Sequence, residues 1–138
     1  MVACVVDLRL VRSHALTHAE YADASIVLAG SEVVFLAGAC PLDTDGVVVA
    51  PGDITTQTRK ALANMDVVLR DCRVALEQVA FLRVLVVAST PDELGLAWAA
   101  VREHFGHHEV PATLQGVPVL GYAGQLVEIE AVAARGPS

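Results

Sequence analysis

Apolar and polar positions alternate with period two along Val127-Glu128-Ile129-Glu130-Ala131-Val132-Ala133, the repeat of a β-strand with two unlike faces. Val127, Ile129 and Ala131 fall on one face, and Glu128, Glu130 and Val132 on the other. The apolar stretch Leu114 to Leu120, led in by Val110-Pro111-Ala112-Thr113, predicts a strand before it. Gly121-Tyr122-Ala123-Gly124 would join the two as a strand pair. Nearer the start, Val2 to Val11 predicts a first strand with Asp7 and Arg9 on one face. Ala24 to Ala29 and Glu32 to Ala37 predict two short strands, with Gly30-Ser31 between them as a hairpin turn. Asp43-Thr44-Asp45-Gly46 is a further turn, and Val47 to Ala50 a short extension.

Helical spacing appears twice. Asp53 is an N-cap, after which Ile54, Thr58, Ala61, Leu62, Met65, Val68, Leu69 and Cys72 lie along one stripe. Thr90-Pro91-Asp92-Glu93 combines a capping threonine, a first-turn proline and a glutamate three residues on. Leu94, Trp98, Val101 and Phe105 follow on one side, and Gly106 ends the helix. Between the helices, Phe81 to Ala88 is a nearly continuous apolar run, the signature of a buried central strand. The order β-β-β-α-β-α-β-β predicts one α+β domain over residues 1–138, with both helices on one face of the sheet. The opposite face, carrying Glu128 and Glu130, is expected to meet other subunits.

Composition strengthens that expectation. Of 138 residues, 54% are hydrophobic and 18% charged, a surface poor in charge for a soluble monomer, which predicts oligomerisation. The apolar runs are short and interrupted, predicting no membrane span, and Met1 to Arg12 reads as a strand rather than a signal peptide. The net charge of −7, with scattered basic residues and Lys60 as the one lysine, offers no basic stripe for nucleic acid. Cys4, Cys40 and Cys72 are odd in number and lack metal-ligand spacing, which fits a reducing, cytoplasmic compartment.

Several stretches together resemble the RidA/YjgF family, also labelled endoribonuclease L-PSP. They are Ala37-Gly38-Ala39-Cys40-Pro41-Leu42-Asp43, Gly52 to Thr58 with Ala61-Leu62-Ala63-Asn64, the Thr90-Pro91-Asp92 junction, His104-Phe105-Gly106 leading to Pro111-Ala112, and Val127 to Ala133. The resemblance covers about Tyr21 to Ala134. It implies a chorismate-mutase-like fold with a mixed sheet, and a homotrimer with three intersubunit clefts for a small molecule. For many members it also implies hydrolysis of reactive enamines or imines to ketoacids and ammonia; no cofactor and no metal enters that reading.

Site residues carried over by the resemblance fare unevenly. Glu128 matches the acidic residue that faces the cleft and positions the attacking water. Gly38, with Ala37 beside it, matches a glycine whose backbone lines the pocket. Tyr21 corresponds to a pocket tyrosine, with three extra residues between it and Gly38. Active members carry an arginine after Pro-Ala that grips the substrate carboxylate; here that position is Thr113. A guanidinium offers a bidentate charged grip and a threonine one neutral hydrogen bond, a difference of about a few kcal/mol. None of the other arginines falls on a matching cleft position. Trp98 stands where an asparagine is common and Gln115 where a small residue or cysteine is, predicting a cleft that is larger-walled, less cationic and more apolar.

Each candidate has a plainer alternative. Glu128 is a general base or water-positioner, poised by burial, or a structural carboxylate at a subunit interface. Glu130 reads as structural or solvated. Thr113 is a ligand contact or simply a good strand former. Tyr122 lids a pocket or packs on its own subunit, and Trp98 is a pocket wall or a core residue. Cys40 is a reactive thiol near the cleft or a packed one, with no basic partner nearby in sequence. His104, His107 and His108 hint at a metal, but Gly106 interrupts them, and a solvated helix end fits them better. Two functions follow: a RidA-like hydrolase of a small imine or enamine, or a non-catalytic ligand-binding or chaperone-like trimer. Ribonuclease follows from the family label alone, and the acidic chain argues against it.

Overall fold

The computed structural model describes residues 7–137. Six strands and two helices run in the order β1 (Leu8–Val11), β2 (Ala24–Val27), β3 (Glu32–Phe35), α1 (Ile54–Asp71), β4 (Val79–Val87), α2 (Pro91–Phe105), β5 (Ala112–Val117) and β6 (Val127–Arg135), with a 3-10 turn over Leu76–Gln78 before β4. This is the α+β order that the hydrophobic pattern predicts. Residues 2–6 of the expected first strand, Cys4 among them, lie outside the described residues.

Two pairings differ from the expected ones. Ala24–Val27 and Glu32–Phe35 do not form a hairpin: β2 pairs with β1, and β3 pairs with β6, in a four-stranded sheet of order β3-β6-β4-β5. Gly30 takes a positive φ of 85°, so the chain does turn there, but it turns from one sheet into the other. Nor do the last two strands pair. β4 lies between them, parallel to β5 and antiparallel to β6. A strand apolar on nearly every residue gains most from the central place, where both edges and one whole face are covered.

The helices cover one face. Leu62, Met65 and Leu69 of α1 and Ala97, Val101 and Phe105 of α2 pack on Leu82, Val84, Val86, Ile129 and Ala131, all buried. Asp53 caps α1 by accepting from the Thr56 backbone N–H at 2.9 Å and the Thr56 hydroxyl at 2.7 Å. The α1 stripe is shifted from the expected one: Val68 is exposed, whereas Gln57 is fully buried. Gln57 spans two loops. Its amide nitrogen donates to the carbonyls of Ala50 and Gly124, and its Oε1 accepts from Leu126 N–H at 2.7 Å.

On the opposite, outer face the β1–β2 ribbon covers only one end, where Leu8 packs with Ala80 and Ala134 and Ser25 Oγ donates to Ala80 O at 2.6 Å. Beyond it that face stays open, with Phe35 77% exposed. Glu128, Glu130, Thr113 and Gln115 all lie on this face, since their strand neighbours point into the helix-covered core.

Candidate active site

Glu128 is set by a missing side chain. A Cβ placed on Gly38 would lie 2.7 Å from Glu128 Cδ and 2.9 Å from Cγ, closer than real carbon atoms approach. The glycine is there for space. The segment is pinned to β6 by reciprocal backbone bonds, Ala39 N–H to Ile129 O at 2.7 Å and Ile129 N–H to Ala39 O at 3.0 Å. From α1, Asn64 donates to the carbonyls of Cys40 and Leu42 at 2.8 and 2.9 Å. Three elements thereby converge on one carboxylate.

Cys40 supplies its partner. The thiol lies 3.1 Å from Glu128 Oε1 and donates to it. Burial, reinforced by the hydrogen bond and the charge of Glu128, pushes the thiol from an ordinary 9.0 up to about 11. At neutral pH Cys40 is therefore an S–H donor and a poor nucleophile, in line with the packed-thiol alternative. It donates to Oε1, and among the described residues no side chain donates to Oε2. Beside this arrangement a cavity of about 540 Å³ is lined by Ala37, Gly38, Cys40, Lys60, Asn64 and Tyr122, among others. Tyr122 is half exposed on its rim.

Tyr21, Trp98 and Thr113 form a second group. With Ala112 and Leu114 they line a cavity of about 450 Å³ at the β5 edge. The rings of Tyr21 and Trp98 meet edge to face, centroids 6.0 Å apart at 85°, and Trp98 Nε1 donates to Glu20 at 2.9 Å. Trp98 is thus a partly buried side chain that packs against the core from α2 and also walls this cavity. Arg12 fixes the Tyr21 segment by pairing with Glu109 and donating to Tyr21 O at 2.9 Å. Gln115 is exposed on the outer face, in one row with Leu85 and Glu128. Gly38 and Thr113 flank opposite edges of the four-stranded sheet, about 14 Å apart at about 4.8 Å per strand.

A sequence profile described as Endoribonuclease L-PSP matches residues 12–135. The chain belongs to the RidA/YjgF, or endoribonuclease L-PSP, family. YyfB from Yersinia pestis, a protein of unknown function of the conserved Rid family, superposes with a TM-score of 0.85 at 26% identity, covering 94% of this chain and 99% of that one. A member of the YjgF/YER057c/UK114 family from Mycobacterium tuberculosis does so with a TM-score of 0.62 at 25% identity, over 91% and 98% of the two chains. YyfA, also from Yersinia pestis, shares the fold at 22% identity and a TM-score of 0.68, covering 93% and 99%. No curated protein matches the chain.

Within this RidA/YjgF chain, three features escape a sequence reading. Cys40 engages Glu128 across 88 residues of chain. Two of the three helix-end histidines are engaged, His104 pairing with Asp66 at 3.0 Å and His108 Nε2 lying 2.7 Å from Val79 O, while His107 is exposed as expected of a solvated helix end. Among the described residues no group of three or more His, Cys, Asp or Glu side chains is placed to hold a metal, and no helix is long and apolar enough to cross a membrane. Finally, Arg83 is the strand partner of Thr113, so an arginine does stand beside the position where the family grip is missing. Its signal was in plain view: one charge inside the apolar run Phe81 to Ala88.

Proposed function

We propose that this RidA-family chain hydrolyses a small imine, or an enamine that tautomerises to one, at clefts between the subunits of a homotrimer. The observation that carries the reading is the fit of Gly38 against the Glu128 carboxylate, with Cys40 donating to one oxygen. The free oxygen accepts a proton from water as the water oxygen bonds to the imine carbon. The resulting carbinolamine expels its nitrogen, protonated on the way out, as ammonia and leaves a carbonyl compound. Cys40 keeps its proton throughout, because its pKa is raised. Assembly supports the reading in a second way. Gly38 and Thr113 border opposite edges of the same outer face, and a neighbouring subunit laid over that face would close a cleft above both. The open outer face, with Phe35 exposed, is apolar enough to be covered by a neighbour.

A second reading, a non-catalytic ligand-binding or chaperone-like trimer, draws on Thr113, which deprives β5 of the family guanidinium. Ribonuclease activity, which the family label names, is disfavoured by the net charge of −7. The test is ammonia release from 2-aminoacrylate generated in situ, with assembly checked by sedimentation against the 14.5 kDa protomer. A trimer that releases ammonia above the buffer rate supports the hydrolase. A trimer at the buffer rate that still binds pyruvate supports the binding protein.

A further inference from the structure

Arg83 is the one cation on the outer face of the four-stranded sheet among the described residues. It pairs in register with Thr113 on β5 and with Glu130 on β6, so Glu130, Arg83 and Thr113 form one cross-strand row. The next row is Glu128, Leu85 and Gln115. Diagonal neighbours on adjacent strands lie about 7–8 Å apart, within reach of long side chains. Arg83 and Glu128 are therefore diagonal neighbours on one face, with side chains rooted about 7–8 Å apart.

The guanidinium is held but not used up. Its Cζ lies 5.9 Å from the centroid of the Phe81 ring, and Nη1 donates to Glu130 Oε2 at 3.3 Å. A guanidinium has five N–H donors, and the others have no protein acceptor among the described residues. The two side chains of the pair are 46% and 42% exposed, while the flanking Leu82 and Val84 are fully buried. A charge this far inside an apolar strand, with most of its donors open, is placed to receive an anion.

We propose that Arg83 grips the carboxylate of the substrate, an imino or 2-oxo acid, from β4, doing the work that an arginine at position 113 would do from β5. The proposal rests on reading this face as the hydrolase site. It also accounts for Thr113. Side chains directly opposite on neighbouring strands are about 5 Å apart at Cβ, and like charges there repel. The row accommodates one guanidinium, and arginine at 83 excludes arginine at 113. The threonine hydroxyl adds a neutral hydrogen bond to the same carboxylate.

Ligand-detected NMR titration with pyruvate, the carbonyl product expected from 2-aminoacrylate, and with its uncharged twin pyruvamide tests this without any turnover. Arg83→Gln should weaken pyruvate about tenfold to hundredfold, the scale of a lost charge-assisted contact, and leave pyruvamide unchanged. Arg83→Gln combined with Thr113→Arg should recover pyruvate binding to within a few fold, whereas Thr113→Arg alone should not improve on the wild type. Recovery in the double variant also shows that the fold survives. Unchanged pyruvate affinity in Arg83→Gln, equal loss of both ligands, or no recovery in a trimeric double variant would overturn the assignment. Arg83-dependent pyruvate binding without ammonia release would retain Arg83 and remove the hydrolase. Hydrolysis that needs Glu128 but ignores Arg83→Gln would do the reverse.

Discussion

Gly38→Ala moves Glu128 without altering its chemistry. The new methyl group would sit 2.7 Å from the carboxyl carbon, where ordinary contact begins at 3.4 Å, so that carbon must retreat by about 0.7 Å. The obstacle is a side chain able to rotate, not backbone, so the stability cost sits at the low end of overpacking, about 1 kcal/mol, or roughly 3–5 °C in Tm for a chain of this size. Activity should suffer far more. A reacting group misplaced by about 1 Å can lose about 100-fold in rate, and the same retreat lengthens the 3.1 Å Cys40–Glu128 bond. We expect a 10- to 100-fold drop in ammonia release, with Cys40 more open to alkylation. Adding Glu128→Ala should remove the clash, so the double variant regains the lost stability while activity falls further, to the buffer rate. Gly38→Ala within twofold of wild type in activity, with unchanged Cys40 labelling, would refute the claim that this contact sets the carboxylate.

Three further outcomes follow from the same geometry. With its pKa at about 11 rather than 9.0, Cys40 is about 0.3% thiolate at pH 8.5 instead of about 24%, so iodoacetamide should label it far more slowly than an unshifted thiol; Glu128→Gln should speed labelling several-fold, the burial contribution persisting, as read by peptide mass spectrometry. Arg12 holds the Glu109 carboxyl below its ordinary 4.5, so its contribution to stability is complete above that pH and fades as pH falls through the lower folded value. A lower hydrogen-exchange protection factor at Ala22 N–H, which donates to Glu109 O at 2.8 Å, should appear in acid and be reproduced at neutral pH by Arg12→Ala. Gln57→Ala strands Leu126 N–H and two loop carbonyls in the interior and should cost about 1–3 kcal/mol in chemical denaturation; an unchanged midpoint would deny Gln57 its bracing role.

Periodicity identified the elements because each helix and strand buries one face, and burial is what a hydrophobic pattern encodes. It could not identify pairing. The Gly30-Ser31 turn looks alike whether the next strand folds back or crosses to another sheet, and the partner of Glu32–Phe35 is a strand about 100 residues away. The same limit governs the site. Glu128 and Gly38 were legible through family resemblance, but their contact is a spatial fact, as is the thiol of Cys40 on the carboxylate. Trp98 stayed open between core and cavity wall because helical spacing reports the side of a helix and not the depth of cover, and the side chain does both. Arg83 was passed over because matching positions one by one along the chain does not show which strand lies beside Thr113.

The central claim is that Glu128 activates water. Its most direct test is the rate of ammonia release from 2-aminoacrylate by wild type and Glu128→Gln, both confirmed to share one assembly state. The amide keeps the size of the carboxylate and an acceptor for the Cys40 S–H but cannot take a proton. A fall of about 100-fold or more, the usual contribution of a positioned general base, is the predicted result. Equal rates above the buffer background would contradict the account and place the water-activating group elsewhere.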